Sequence, residues 1–183
     1  MDNSCFYRPF PVIELEEIIL REIRGSDATM YYAYMNSDYM TDIISAEHIP
    51  NTLEDAKKEL DYWSMLFPLK TSIYWALANK KDELIGTAGF NHISTKNDKA
   101  EISYDLAPDC WGRGYMSDAI NSIIKFAQDD LNLVRIQATV ATENIRSINL
   151  LEKCNFYMEG KLAKYEIING IHKDYFMYSK ILI

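Results

Sequence analysis

The stretch AEISYDLAPDCWGRGYMSDAINSIIKFAQDD, residues 100–130, decides the fold. Apolar Ile102, Tyr104 and Leu106 alternate with polar Glu101, Ser103 and Asp105. That is the two-residue period of a half-buried strand. Pro108, Gly112 and Gly114 then interrupt it. From Ser117 to about Asp130 the period changes: Ala119, Ile120, Ile123, Ile124 and Ala127 recur at helical spacing and form one apolar stripe. LVRIQATV, residues 133–140, reads as strand again. Strand, turn, helix and strand in this order predict a right-handed crossover, with a ligand at the carboxyl end of the first strand, where the turn lies.

Working outward, Asn144 is placed to cap a helix running to Cys154, and Asn155 falls where a left-handed C-cap is expected. Asn169-Gly170 is the strongest short hairpin signal, so strands at about 157–168 and 171–180 are expected to pair antiparallel. A two-residue turn there opposes Ile168 to Ile171 and Glu166 to Lys173. Toward the amino terminus, residues 1–11 read as an irregular lead-in and residues 12–24 as one strand. Ser26 or Asp27 is expected to cap a short helix to about Asn36, and Thr52-Leu-Glu-Asp55 resembles a capping box for a helix that ends before Pro68. Residues 73–79 and 84–92 read as a hairpin around Lys80–Glu83. The expected fold is α/β, or α+β by a stricter count: one domain over 1–183, a mixed sheet with helices on both faces and a C-terminal β-hairpin.

Composition narrows the function. A net charge of −8 argues against nucleic acid as the main partner, and no apolar run suits a membrane span. An acidic surface suits a basic substrate, although most acidic proteins are simply soluble. Cys5, Cys110 and Cys154 are an odd, scattered set without a secretory h-region, which reads as cytoplasmic with reduced thiols. His48, His92 and His172 lie far apart and form no metal-binding spacing, so no metal is expected.

The turn before the long helix is suited to an anion. A helix opens with unpaired N–H groups and the positive end of its dipole. Glycines at 112 and 114 let a diphosphate approach the backbone, Ser117 offers a hydroxyl, and Arg113 offers a charge unless it points into water. An ordinary loop is the bland alternative. The nucleoside-triphosphate P-loop pattern is absent. A dinucleotide fingerprint would need a third glycine where Ser117 stands, and the next acidic residue, Glu143, lies past the following strand.

LAPDCWGRGYMSDAI also resembles the cofactor motif of GNAT acetyltransferases, [QR]-x-x-G-x-[GA], with Trp111, Gly114 and Met116 at the three defining positions. Two of those three depart from the strict form. The surrounding segments EISYDL, NLVRIQATVATEN, NIRSINLLEKCNF, MEGKL and NGIHKDYFMYS are similar, in order, to the ribosomal-protein-alanine N-acetyltransferases (RimJ/RimL-like), with a weaker match at ILREIRGSDA. The resemblance implies acetyl-CoA as cosubstrate and a splayed strand whose backbone at Tyr104, Asp105 and Leu106 pairs with the pantetheine arm. It implies that the amides of Gly112, Arg113, Gly114, Tyr115, Met116 and Ser117, after Trp111, hold the pyrophosphate, and that Asn144 helps fix the thiol end. Met116 is tolerable there if its φ is negative.

For chemistry, the position of the tyrosine that serves many GNAT enzymes as acid holds Leu151. In the branch resembled, Ser147 matches a serine that donates to the leaving thiolate; its alternative is a purely helix-capping role. Glu166 matches a glutamate base, with a cross-strand pair to Lys173 as the alternative, and Glu101 is the rival base. Tyr31, Tyr32, Tyr34 and Tyr39 either line the acceptor pocket or pack in the core. The resemblance implies direct transfer to an amine-bearing acceptor, most simply a protein N-terminus, by a monomer or homodimer. A small-amine acceptor, a non-catalytic acyl-CoA-binding module and a dinucleotide oxidoreductase are the alternatives.

Overall fold

A computed structural model describes Phe6 and residues 8–182, without the side chains of residues 42 and 43; Cys5 lies outside the described residues. Eight strands form one sheet in the order β1-β2-β3-β4-β5-β6-β8-β7. They are β1 (Ile13–Glu14), β2 (Ile18–Glu22), β3 (Tyr74–Asn79), β4 (Leu84–Ser94), β5 (Lys99–Leu106), β6 (Arg135–Ala141), β7 (Tyr157–Ile168) and β8 (Ile171–Ile181). β5 and β6 are parallel, and every other pairing is antiparallel. Among the described residues five α-helices accompany the sheet: α1 (Ala28–Met35), α2 (Asp38–Ile43), α3 (Leu53–Leu66), α4 (Tyr115–Asp129) and α5 (Ile145–Lys153).

Strand β3 shows how the sheet is sandwiched. Trp75 and Leu77 pack in the core that holds Ile120, Ile123 and Phe126 of α4. Their neighbours Tyr74 and Ala76 join the second core, with Tyr31 and Met35 of α1 and Ala56 and Leu60 of α3. Alternate side chains of a strand face opposite ways, so both faces are covered. The α/β expectation holds.

The C-terminal hairpin has the expected register, Ile168 opposite Ile171 and Glu166 opposite Lys173. Asn169 and Gly170 both take positive φ, 50° and 78°, as the primed hairpin turn requires. Asn155 is left-handed at φ 59°. Asp55 N donates to Thr52 Oγ1 at 3.1 Å, so Thr52 caps α3, but the return bond runs from the threonine hydroxyl to Asp55 Oδ2 at 2.8 Å and not from the Thr52 amide as the expected capping box requires.

The amino-terminal third departs from expectation. The single strand at 12–24 is instead two, β1 folding back on β2 through a turn in which Leu15 N donates to Ile18 O at 2.9 Å. The turn carries Glu16 and Glu17, both exposed, and has no glycine or proline to announce it. Asp27 does not cap α1 with its side chain. It is buried, receives Arg21 Nη1 and Nη2 at 2.9 and 2.8 Å, and accepts Arg24 N at 2.9 Å, so it closes the 3-10 turn Gly25–Asp27 ahead of the helix. The segment α2 lies where only a loop was expected.

Candidate functional site

Strands β5 and β6 pair only where Lys99–Glu101 meets Arg135–Gln137. Beyond those residues they diverge, although β5 runs on to Leu106 and β6 to Ala141. Ala107 N donates to Ile85 O at 2.8 Å, so strand alternation turns the amides of Leu106 and Tyr104 away from β4 and into the opening. An extended ligand has a backbone edge to pair with there. The carbonyl of Leu106 is taken, however: Trp111 Nε1 donates to it at 2.8 Å.

At the mouth of this opening the chain turns into α4, which begins at Tyr115, two residues before the expected start. Gly112 and Gly114 have φ of 76° and 88°, left-handed values that glycine takes without strain. Met116 is helical and buried, so its side chain packs in the core while its amide stays in the turn. From Trp111 the backbone bonds resume only at Asp118 N, which donates to Gly114 O at 3.1 Å. Among the described residues the amides of 112–117 have no acceptor, which leaves them available to an anion at the start of the helix. Ser117 differs from expectation: its hydroxyl donates to Gly114 O at 2.7 Å, leaving its amide as its free donor. Arg113 is exposed and donates to Asp109 O at 3.1 Å.

Two cations that the sequence reading missed border the same cleft. Lys153 Nζ lies 3.3 Å from Ser117 Oγ, and the Arg146 guanidinium sits 4.4 Å from the centre of the Trp111 ring. Both come from α5, and helical spacing around Asn144 would have been the signal. The cleft has a volume of about 400 Å³. Cys110 lies on its wall, but burial raises the thiols of Cys110 and Cys154 above the usual range, so neither is a ready thiolate nucleophile.

Asn144 caps α5 as expected, its Oδ1 accepting Ser147 N at 3.1 Å. The cap fixes the first turn of the helix and with it the Ser147 hydroxyl, which lies 2.7 Å from the hydroxyl of Tyr104. The side chain of Tyr104 is thus part of the site, beyond the backbone role expected of it. Burial raises the Tyr104 phenol above its ordinary value, only partly opposed by the bond to Ser147, so it keeps its proton at neutral pH. Ser147 can give up its own proton while the Tyr104 hydroxyl supports its oxygen.

A second cavity of about 460 Å³ adjoins the first. Ile44, Tyr104, Asp105, Asn144 and Ser147 line both, so the two hydroxyls stand where the cavities meet. Glu101 and Glu166 open onto the second cavity. Gln137 Nε2 and Thr139 Oγ1 donate to Glu101 across long distances of 3.4 and 3.5 Å. Glu166 is opposite Lys173, yet that lysine turns to Glu143 at 2.7 Å. Glu166 instead lies 3.8 Å from His48 Nε2, and its charge adds to burial in raising the Tyr175 phenol above the usual range. With Glu47 these residues form a group whose ligand atoms lie within 4.8 Å of one another, although Glu47 and His48 are exposed.

Asp105 is held by protein groups: Tyr34 Oη and Thr87 Oγ1 donate to its carboxylate at 2.5 Å each, and Thr87 N at 3.1 Å. Burial nevertheless raises its pKa. Of the four tyrosines near α1, Tyr31 and Tyr34 are buried and Tyr31 lines the second cavity. Tyr39 is exposed and packs edge-on to Trp111 at 5.6 Å, and Tyr32 donates to Asn51 O at 3.4 Å.

A sheet opened at its parallel pair, with a glycine turn leading into a helix at the opening, is the arrangement that the resemblance to GNAT acetyltransferases implies. The acetyltransferase (GNAT) domain matches residues 17–157. An uncharacterized N-acetyltransferase, YoaA of Bacillus subtilis, is 34% identical over 93% of this chain and 96% of its own. Among solved structures, the ribosomal-protein-S5-alanine acetyltransferase from Vibrio fischeri is 27% identical with a TM-score of 0.84, covering 93% of this chain and 96% of that one. The microcin C7 self-immunity acetyltransferase MccE, in complex with acetyl-CoA and AMP, is 25% identical with a TM-score of 0.85, covering 92% and 94%. The chain belongs to the GNAT family and is an acetyl-CoA-dependent N-acetyltransferase. The dinucleotide alternative falls with this, and a sheet with a single parallel pair is not the doubly wound fold it needs. Among the described residues no helix is long and apolar enough to cross a membrane.

Proposed function

We propose that the protein transfers acetyl from acetyl-CoA to the α-amino group of a protein N-terminus by direct attack in a ternary complex, within the ribosomal-protein-alanine branch of the family. The 2.7 Å contact between Tyr104 and Ser147, at the junction of the two cavities, carries the reading. Pantetheine lies along β5 with its pyrophosphate on the amides of residues 112–117, which brings the thioester to that junction. The amine attacks the thioester carbonyl from the second cavity, and the C–S bond breaks as Ser147 protonates the departing thiolate. Tyr104 keeps its proton and steadies the serine oxygen by a hydrogen bond, and Ser147 regains its own proton from solvent once the thiol has left.

Glu166 takes the amine's proton, with Glu101 the rival on the same cavity. The demand is small for this acceptor. A free α-amine has a pKa of about 7.7–8, so losing its proton at pH 7 costs about 1–1.4 kcal/mol, against about 4.6 kcal/mol for a lysine. A half-exposed carboxylate that shares a tyrosine hydroxyl and a histidine suits the easier task.

The test is mass spectrometry of acceptors incubated with enzyme and acetyl-CoA. Peptides with a free α-amine gain one acetyl group, and the same peptides blocked at the N-terminus, with lysine as the remaining amine, do not. Acetylation of small amines alone would assign the acceptor cavity to metabolites instead.

A further inference from the structure

The acceptor cavity is lined by charge of one sign. Glu59, Glu101, Asp105 and Glu166 open onto it, and among the described residues its lining holds no lysine or arginine and has His48 as its basic side chain. Three of these carboxylates are explained by what surrounds them. Asp105 is held by Tyr34 and Thr87, Glu166 by Tyr175 and His48, and Glu101 by the side chains of β6. Glu59 is different.

Glu59 sits on α3, half-buried; burial raises its pKa, and the hydroxyl of Tyr31, a fully buried side chain, acts the other way and favours its charged form. Asp105 repels it and His48 attracts it, and among the described residues its carboxylate forms no ion pair with a lysine or arginine. One helical turn further along α3, Trp63 lies flat on Tyr74, ring centroids 5.1 Å apart and planes 10° apart, and both rings line the same cavity. Aromatic faces attract cations, and a desolvated carboxylate without a counter-charge is costly until a ligand supplies one.

The reacting amine cannot be that ligand group, because it must reach the Tyr104–Ser147 junction and lose its proton. We propose that the acceptor carries a second positive group beside the amine that is acetylated, and that Glu59 on α3 receives it. Glu59 is then a specificity-determining residue, and the second group is one that stays charged while the first is neutral, as a guanidinium does. The inference rests on the N-acetyl-transfer reading and narrows its acceptor.

Two probe pairs isolate the second charge. Ala-Arg-Ala amide is compared with Ala-citrulline-Ala amide, and agmatine with N-carbamoylputrescine; within each pair the shape is nearly constant and only the distal charge is lost. At least one charged member is expected to exceed its neutral partner in kcat/KM by about tenfold, the usual worth of one charge-assisted hydrogen bond. Glu59→Gln keeps an acceptor for the Tyr31 hydroxyl and should bring that ratio close to unity, while Glu59→Asp keeps part of it. Equal use of both members by the unaltered enzyme, or a ratio untouched in Glu59→Gln, overturns the proposal and leaves N-acetyl transfer standing. Acetylation of none of the four, with acetyl-CoA bound by calorimetry, overturns the amine-acceptor reading together with it.

Discussion

The Ser147 hydroxyl on α5 lies 2.7 Å from the Tyr104 hydroxyl on β5, joining the two elements across the open end of the sheet. The contact links residues 43 positions apart in the chain, and the Asn144 cap holds one side of it in place. Removing the terminal donor should damage the chemical step more than binding. Ser147→Ala is expected to lower kcat by about 10²-fold or more, the range of general acid catalysis, with little change in KM for acetyl-CoA. Tyr104→Phe should cost less, and the double variant should be no slower than Ser147→Ala, because the two act in series. Steady-state kinetics decides it; an unchanged kcat in Ser147→Ala removes the serine from the mechanism.

Glu166 yields a different signature. Glu166→Ala should lose modest activity near neutral pH, and the loss should shrink as pH rises past the α-amine's own pKa, about 7.7–8. A pH profile of kcat/KM measures this. A large loss that ignores pH, or the same recovery in Glu101→Ala instead, moves the role away from Glu166.

The turn can be tested without chemistry. A Cβ at Gly114 would meet nothing closer than Asp118 Oδ2 at 3.9 Å, so its φ of 88° is the obstacle, not space. Forcing an L-residue into the left-handed region costs about 1–2 kcal/mol. Gly114→Ala should therefore weaken coenzyme A binding by about 5–30-fold if the turn relaxes to avoid that strain. Calorimetry reads it directly, and an unaltered Kd with an unaltered melting temperature would contradict it.

Stability below pH 5 should respond to Glu159. Hydrogen bonds from Arg135 and Ser179 hold its carboxyl down to about 2. The unfolded chain binds that proton more readily than the folded one, so the stabilisation is complete above the ordinary glutamate range and drains away as pH falls toward 2. Because Glu159 is 43% exposed, screening limits the effect to about 1 kcal/mol or less. Urea melts of the protein and of Glu159→Gln, at pH 7 and near pH 3, should differ at the higher pH and approach each other at the lower.

Asp27 offers the larger structural effect. Both it and Arg21 are nearly fully buried, their side chains 6% and 5% exposed. Asp27→Ala leaves the guanidinium with Asp82 and the Glu22 carbonyl and frees the Arg24 amide, so about 3 kcal/mol should be lost, the lower end for a broken buried pair. Denaturant melts would show the shift in midpoint, and a change under 1 kcal/mol would mean that Asp82 compensates.

What the sequence made legible was local. Asn169-Gly170 sets a turn whose φ values few other residues accept, and that alone determines the register of the last two strands. Asn144, Asn155, the Thr52 cap and the glycines at 112 and 114 likewise act on their own neighbourhoods. The pairing of Tyr104 with Ser147 was not legible, since it depends on how far β5 and β6 diverge. Lys153, Arg146 and Glu59 were hidden for the same reason: only packing shows which cavity an exposed helix face adjoins. The reversal at Glu16-Glu17 escaped because charged residues there look like the polar face of a continuing strand.

The short contact between β5 and β6 has a mechanical consequence. Among the described residues, Lys99–Glu101 against Arg135–Gln137, with the amides of Val134 and Arg135 on Asp98 O just before them, are the rungs of backbone joining the N-terminal five strands to the C-terminal three. A cofactor arm lying along β5 would act as a zip fastener across that seam, so occupancy and rigidity of the sheet rise together. Amide exchange along residues 102–106 should slow on loading and quicken on product release, making the seam a timer for each turnover.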